Sequence, residues 1–181
     1  MRQTKIIALA GPKGVGKTTI AKVIEEVLID AEIHSFATPI KSMIEAMGIG
    51  RNLIDDPELK NQPIDWVGKS PREMMQTLGT EWGRQMVRDD IWLRVVAEKI
   101  KYSPFGTVII DDCRFDNEAE FVNSNGGVVI DLFRDGVEAS DGHISESGIS
   151  EKLIRARVDA GDPYEAALLI FKAQKHARSR V

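Results

Sequence analysis

A glycine-rich segment near the start of the sequence carries the strongest chemical signal. Residues 11–18 read Gly-Pro-Lys-Gly-Val-Gly-Lys-Thr, which fits the pattern G-x-x-x-x-G-K-[S/T] of the P-loop. Glycines let the backbone wrap closely around a phosphate, so that successive N–H groups and the N-terminus of the following helix can bind it. We therefore predict a nucleotide-phosphate site formed by Lys13, Gly14, Val15, Gly16, Lys17, Thr18 and Thr19.

Two side chains of this loop have further chemical roles. Lys17 can bring a positive charge to the β- and γ-phosphates of a nucleotide. The Thr18 hydroxyl is a natural ligand for Mg²⁺. The alternative is a glycine-rich turn with an incidental lysine, but the sequence predicts a strand before the loop and a helix after it, which is the context that a P-loop requires.

Two carboxylates and an arginine follow a second apolar segment. Asp111, Asp112 and Arg114 come directly after residues 107–110, at the end of a predicted buried strand, where open α/β sheets bind ligands. We predict that Asp112 holds metal or acceptor and that Arg114 neutralises phosphate charge, although Asp111 could serve the metal instead. A simple ion pair between Asp112 and Arg114 is the alternative. Arg134, at the exit of a later strand, is predicted to reach the same phosphates.

The segment from residue 70 to 92 is predicted to form a second site. At about 100° per residue on a helix, Arg72, Gln76, Gly79 and Gly83 lie near one another. Two glycines within a helix cost about 1 kcal/mol each against alanine, which suggests the close approach of a backbone or a ligand. Arg72 offers a fork for phosphate and Gln76 can pair with a base edge. Tight helix packing beside a surface arginine is the alternative. The same spacing predicts a buried stripe made of Met75, Leu78, Trp82 and Met86.

The elements that must position these groups alternate along the chain. Apolar runs predict strands near residues 5–10, 33–36, 107–110, 128–133 and 157–160. Helical spacing predicts helices over residues 18–30, 39–47, 116–123 and from Pro163, with Asp162 as the N-cap of the last, and two helices between Pro71 and Tyr102. Asp116 is predicted to cap the helix that it begins. This alternation predicts an α/β fold with a central, mostly parallel sheet.

Composition limits the class of protein. The 181 residues suit one domain, and 24 Lys+Arg against 28 Asp+Glu give a net charge of −4, which argues against a broad surface for duplex nucleic acid or membrane. The chain has no apolar run of the ~18 residues that a membrane span needs and no signal-peptide core, so we expect a cytoplasmic protein. The single cysteine, Cys113, cannot form an internal disulfide and is predicted to be a core residue.

Several classes of protein carry a P-loop. The Asn-Lys-x-Asp motif with which GTPases read guanine does not occur in the sequence. A small phosphotransferase fits best, because it needs a second substrate site and a cover built from insertions between strands, such as the long polar loop over residues 134–150. Two alternatives stay open: a kinase of a nucleoside or another small hydroxyl acceptor, and a nucleotide-dependent switch without phosphotransfer.

Taken in order, these motifs resemble those of the bacteriophage-type deoxynucleoside monophosphate kinases, a branch of the P-loop nucleoside monophosphate kinases. The matching segments are residues 11–18, 37–41, Arg72 with 75–80, Trp92, 112–114, 126–130 and 143–146. The resemblance implies a P-loop three-layer sandwich in a single domain over residues 1–181. Within it, residues 38–92 would form a helical acceptor-binding region and residues 134–150 a lid-like loop.

The resemblance also implies an activity, namely transfer of the γ-phosphoryl group of ATP to a deoxynucleoside 5′-monophosphate, with Mg²⁺. It implies catalytic roles for Lys17, Asp112, Arg114 and Arg134, and metal ligation by Thr18 and Asp112. It implies acceptor contacts from Phe36, Ala37, Lys41, Arg72, Gln76, Trp92, His143 and Glu146. The expected partners are nucleotides, with a homodimer left open and the host cytoplasm as location if a phage encodes the chain. The family often has Asp where this chain has Thr18, and the stretch between Lys41 and Pro71 is compact.

Overall fold

The computed structural model describes residues 4–137 and 148–177. The chain divides into two compact units. The first, which we call the sheet unit, comprises Met1–Ser35 and Lys99–Val181, and the second, the helical unit, comprises Phe36–Glu98. The strands in the described part of the chain are β1 (Lys5–Ala10), β2 (Ala31–His34), β3 (Thr107–Ile110), β4 (Val128–Phe133) and β5 (Ala156–Asp159). The α-helices described are α1 (Lys17–Val27), α2 (Thr38–Ala46), α3 (Arg51–Asp55), α4 (Pro71–Gln76), α5 (Ile91–Lys101), α6 (Asp116–Ser124) and α7 (Pro163–Ala177).

The sheet unit is built on one five-stranded sheet in the order β2-β3-β1-β4-β5. Every neighbouring pair of strands is parallel. The central strand β1 is a continuous apolar run because helices cover a parallel sheet on both faces. The predicted α/β fold with a parallel sheet is therefore confirmed, and β2 begins two residues earlier than the sequence predicted.

Helices lie on both faces of this sheet. Alternate residues of β1, Ile7 and Leu9, pack in one core with residues of α1 and α7. Ile6 points to the opposite face, because side chains alternate along a strand, and it lies with Val122 of α6 against Gly127. The sheet unit therefore has three layers, with α1 and α7 on one side and α6 on the other.

The sequence predicts an N-cap residue for α7 and for α6, and the structure agrees only for α7. Asp162 is the N-cap of α7, since its Oδ1 accepts the N–H groups of Tyr164 at 2.8 Å and Glu165 at 3.0 Å. The prediction that Asp116 caps α6 is wrong. Asp116 is the first helical residue, and its carboxylate binds Ser150, while the Glu118 side chain accepts the N–H of Phe115 at 3.2 Å.

The helical unit packs around a small apolar core of its own. Its buried members are Ile40, Ile44, Ile49, Ile54, Met74 and Trp92. Helix α4 starts at Pro71, as predicted, behind a capping box in which the Glu73 carboxylate accepts the Ser70 N–H at 2.8 Å. Short 3₁₀ turns span Leu59–Asn61 here and Glu151–Leu153 in the sheet unit.

Residues Thr77–Val87 continue α4 as a π-helix. Its backbone bonds run from residue i to i−5, as from the Arg88 N–H to the Gly83 carbonyl at 2.9 Å. The predicted buried stripe is wrong: Met75 and Leu78 are only partly buried, and Trp82 and Met86 are 39% and 78% exposed. The buried methionine of this segment is Met74. The physical reason is that a wider turn rotates each residue by less than the 100° of an α-helix.

None of the described helices combines the length and the apolar composition that a membrane crossing requires.

Candidate active site

The P-loop connects the end of β1 to the first residue of α1. Its glycines Gly11, Gly14 and Gly16 have φ angles of 123°, 82° and 111°, in the left-handed region that favours glycine. A Cβ atom on Gly11 would lie 2.3 Å from the Leu132 carbonyl oxygen, so the loop passes β4 too closely for any side chain. A side chain is therefore excluded at Gly11, and at Gly14 and Gly16 the positive φ angles disfavour any residue other than glycine.

Two side chains of the loop are held in defined positions. The Lys17 ammonium donates to the carbonyl oxygens of Gly11 at 2.6 Å and Pro12 at 2.8 Å, which places its charge over the loop. The exposed Thr18 hydroxyl donates to Asp111 Oδ2 at 2.8 Å. Val15, which was predicted in the phosphate site, has its side chain fully buried in the core, so only its backbone can contact a ligand.

The segment after β3 is anchored at successive residues. Asp112 Oδ2 accepts a hydrogen bond from the Ser35 hydroxyl at 2.6 Å. The N–H of Cys113 donates to the Leu9 carbonyl at 3.2 Å. The N–H of Arg114 donates to the carboxylate of Glu118 at 2.9 Å, and Glu118 is only 2% exposed. These bonds hold the segment that carries both predicted carboxylates and the predicted arginine.

Cys113 is a core residue, as predicted, with 1% of its surface exposed. Burial raises the pKa of its thiol well above the ordinary value, and the nearby carboxylates of Glu118, Asp112 and Asp116 raise it further. A thiol in this environment stays protonated and is a poor nucleophile.

One pocket in the sheet unit brings P-loop residues together with the segment after β3. It is lined by Ala10, Gly11, Pro12, Lys13, Lys17, Cys113, Arg114, Asp131, Gly148 and Ile149. The arrangement therefore places three positive side chains around a space bounded by the glycine-rich loop. This is suited to binding several phosphate oxygens.

Asp131 is the charged residue of the pocket that sequence reasoning missed. It lies on β4 in register with Ala10 of β1 and forms an ion pair with Arg157 at 3.2 Å. Burial raises the pKa of Asp131, and this effect outweighs the positive charges of Arg157 and Lys17, which lower it. The available signal was a single acidic residue inside the apolar strand Val-Val-Ile-Asp-Leu-Phe.

Arg134 follows β4 directly and is exposed. Its Nη2 atom donates to the Gly161 carbonyl at 3.4 Å, in the loop between β5 and α7. The structure therefore places this predicted phosphate ligand beside the loop after β5.

The helical unit carries six of the eight predicted acceptor residues, and several of these make polar contacts. Arg72 Nη1 donates to Asn61 Oδ1 at 3.3 Å, and the exposed Gln76 is the last residue of α4. The Lys41 ammonium donates to Asp55 at 2.6 Å. Burial by itself would raise the pKa of Asp55, but hydrogen bonds from Lys41 and Arg51 outweigh it and keep that pKa below its ordinary value.

Trp92 contacts both glycines of the π-helix. Its indole N–H donates to the Gly79 carbonyl at 2.7 Å, and a Cβ atom on Gly83 would lie 2.4 Å from the ring. Trp92 is 4% exposed, and the ring centroids of Trp82 and Trp92 are 6.2 Å apart. A Cβ atom on Gly79 would lie 3.0 Å from Ile40 Cδ1. Of the two explanations that the sequence left open for these glycines, packing against neighbouring side chains therefore accounts for both.

The remaining predicted acceptor residues have different surroundings. Phe36 is 4% exposed, and the carbonyl of Ala37, the residue before α2, accepts the Lys41 N–H at 3.0 Å. His143 and Glu146 lie outside the described residues.

Thr18 and Asp111 are the pair best suited to a magnesium ion. In the described part of the chain, no group of three or more His, Cys, Asp or Glu side chains could hold a metal by itself. Mg²⁺ needs no such cage, because it takes one or two protein oxygens and completes its shell with water and substrate phosphates. A threonine hydroxyl and a carboxylate oxygen 2.8 Å apart, next to Lys17, fit that chemistry.

Comparison with solved structures agrees with the fold. Shikimate kinase from Aquifex aeolicus aligns with a TM-score of 0.50 at 12% identity, covering 96% of this chain and 98% of that one. At this identity the likeness concerns the arrangement of strands and helices alone.

Comparison of sequences identifies the family. The family model for deoxynucleotide monophosphate kinase matches residues 58–154. A protein of Acanthamoeba polyphaga mimivirus assigned to these kinases is 33% identical over 158 residues, which is 78% of this chain and 80% of that protein. The deoxynucleoside-5′-monophosphate kinase of Escherichia phage T5 is 36% identical over 92 residues, 47% of this chain and 37% of its own length. The deoxynucleotide monophosphate kinase of Escherichia phage RB69 is 26% identical over 145 residues, 76% of this chain and 59% of its own. The chain belongs to the deoxynucleotide monophosphate kinase family.

Proposed function

We propose that this chain transfers the γ-phosphoryl group of ATP to the phosphate of a deoxynucleoside 5′-monophosphate, giving the diphosphate. The observation that carries the proposal is the pocket that Lys13, Lys17 and Arg114 line together with glycine and proline of the P-loop. Membership of the kinase family supports the same reaction.

The donor side of the reaction is assigned to the P-loop. The backbone N–H groups of residues 13–19 and the N-terminus of α1 would bind the phosphates of ATP. The Lys17 ammonium, which now donates to two loop carbonyls, would donate to the β- and γ-phosphates. Arg134, beside Gly161, would contribute positive charge to the bound nucleotide.

Mg²⁺ is proposed to bind at Thr18 and Asp111. The sequence left Asp111 and Asp112 as alternatives, and the 2.8 Å hydrogen bond from Thr18 to Asp111 favours Asp111. A metal ion held by these two side chains would supply positive charge to neutralise the charge of nucleotide phosphates. Asp112 is then available for the acceptor side of the reaction.

The proposed reaction needs no general base. The acceptor atom is a phosphate oxygen that is already an anion at neutral pH, so positioning and charge neutralisation carry the catalysis. Arg114 lines the phosphate pocket and has its backbone fixed by the buried Glu118. It is therefore the residue that we assign to the transferred group.

The acceptor monophosphate is assigned to the helical unit. Arg72 would contact its phosphate and Gln76 the edge of its base, with Lys41 adding positive charge. Phe36, Ala37, Trp92, His143 and Glu146 stay predictions as acceptor contacts. Because Trp92 and Phe36 are buried, we assign these two rings to packing that supports the site and not to stacking on the base.

Steady-state kinetics of wild-type protein and two variants test this assignment. Arg72→Ala deletes a charge-assisted contact of roughly 1.5–3 kcal/mol, so the KM for the monophosphate should rise about tenfold or more. The KM for ATP should stay within about twofold of wild type. Gln76→Ala should change the ranking of the four bases instead, since an amide reads donor and acceptor edges and carries no charge.

Arg94→Ala is the matched control, because Arg94 is an exposed arginine of the same unit that pairs with Asp90, the residue before its own helix. It should leave both KM values unchanged. A raised KM for ATP with an unchanged monophosphate KM in Arg72→Ala would move the acceptor site towards Lys41 and Arg84. A wild-type protein that turns over no monophosphate would contradict the function itself.

A further inference from the structure

Ser35 lies outside every motif that the sequence singled out, yet its hydroxyl contacts one of the two carboxylates after β3. It follows β2 directly, and β2 pairs in parallel with β3 so that His34 lies opposite Ile110. The residues after each strand therefore share one edge of the sheet. Across that edge the Ser35 hydroxyl donates to Asp112 Oδ2 at 2.6 Å.

The contact joins residues 77 positions apart in the sequence. A hydrogen bond to an ionised acceptor is about twice as strong as a neutral one, and it fixes the orientation of the carboxylate as well as its position. The neighbours of Asp112 are anchored by other groups: Asp111 by Thr18, and the backbone of Arg114 by Glu118. Asp112 is anchored by Ser35, the residue that follows β2.

We propose that Ser35 is a positioning residue for phosphoryl transfer, acting through Asp112. This inference rests on the proposed function, in which Asp112 serves the acceptor side while Asp111 serves the metal. A carboxylate that works on a bound substrate is effective only within a narrow range of orientations. Ser35 restricts Asp112 to one such orientation before the acceptor arrives.

The position of Ser35 in the chain adds a second reason. It is the last residue of the first segment of the sheet unit, and the next residue, Phe36, begins the helical unit to which we assign the acceptor. The hydroxyl therefore anchors the point at which the chain leaves the sheet, as well as the carboxylate.

The test is a double-mutant cycle on kcat with ATP and a deoxynucleoside monophosphate. Ser35→Ala should lower kcat about tenfold and leave the KM for ATP within about twofold of wild type. Asp112→Ala should lower kcat by at least as much. Adding Ser35→Ala to Asp112→Ala should then cost little more, because the serine acts through the missing carboxylate. Ser35→Thr, which keeps the hydroxyl, should restore most of the activity.

Ser124→Ala is the matched control. Ser124 is an exposed serine of α6 whose hydroxyl donates to the Glu120 carbonyl at 2.7 Å, and its loss should leave kcat unchanged. Thermal unfolding of each variant separates loss of positioning from loss of folding. If the wild type is active and Ser35→Ala leaves kcat unchanged, the role of Ser35 is wrong while the proposed function stands. The same holds if the effects of the two substitutions on kcat add fully in the double variant. A wild type that phosphorylates no monophosphate overturns the proposed function and this inference together.

Discussion

At the scale of single residues, hydrogen bonds fix the polar side chains of the proposed site. Lys17 donates to two loop carbonyls, Thr18 to Asp111, and Ser35 to Asp112. Each contact restricts the orientation of a group that the reaction would use, and preorganisation of this kind lowers the cost of reaching the transition state.

Replacing Lys17 tests whether the P-loop takes part in the reaction. Lys17→Ala should lower kcat by about a hundredfold or more, because it removes the positive charge aimed at the transferred phosphates. The thermal unfolding midpoint should change little, since the two hydrogen bonds described for the ammonium go to carbonyls of its own loop. Unchanged turnover would remove the P-loop from the mechanism.

Cys113 offers a test of burial beneath the site. Its pKa is raised by burial and by neighbouring carboxylates, so the thiolate fraction of the folded protein at about pH 8 should be very small. A thiol-specific reagent should label the folded protein slowly and the protein in denaturant at the rate of a free cysteine. Equal labelling rates in the two conditions would contradict the position of Cys113 in the core.

At the scale of elements, regular patterns could be predicted and irregular ones could not. The sequence located the five strands of the described residues, three of them as clear apolar runs. The glycine pattern located the P-loop turn, whose glycines have positive φ angles. The π-helix could not be predicted, because an analysis at 100° per residue assumes the α-helical turn that Thr77–Val87 lacks. The short helix α3 was missed inside a stretch that contains proline and reads as irregular.

The sequence predicts which residues of the site belong to known motifs, but it does not predict which residues contact each other in the fold. Lys17, Thr18 and Arg114 could be singled out because motifs with a known chemistry contain them. Asp131 and Ser35 could not, since their relevance comes from strand pairing and from a hydrogen bond across 77 positions of the chain. Periodicity within one element carries no information about such pairs.

The π-helix makes its own prediction through its two glycines. Gly83→Ala would place a Cβ atom 2.4 Å from the Trp92 ring, which is held by the hydrogen bond to Gly79. We expect the free energy of unfolding, measured with urea, to fall by about 1–3 kcal/mol. The clash with the ring should outweigh the roughly 1 kcal/mol that alanine gains over glycine in helix propensity.

Gly79→Ala is the matched comparison, because its Cβ would lie 3.0 Å from Ile40 Cδ1, the end of a flexible side chain. It should cost clearly less than Gly83→Ala. Equal costs, or a more stable Gly83→Ala variant, would show that Trp92 does not occupy the space assigned to it.

At the scale of the whole molecule, the two units carry different parts of the proposed chemistry. The sheet unit holds the P-loop, both carboxylates and Arg114, and the helical unit holds Arg72 and Gln76. The sequence placed the acceptor region at residues 38–92, and the helical unit spans Phe36–Glu98. The family model matches residues 58–154, so the P-loop is a separate indication of phosphotransfer.

The identity of the acceptor is the central claim, and product analysis tests it most directly. The protein is incubated with ATP, Mg²⁺ and, in parallel, each deoxynucleoside and each deoxynucleoside 5′-monophosphate, and products are separated by ion-exchange chromatography. The account predicts ADP and a deoxynucleoside diphosphate in equal amounts from at least one monophosphate, and no product from any nucleoside. Phosphorylation of nucleosides with no turnover of monophosphates would contradict it.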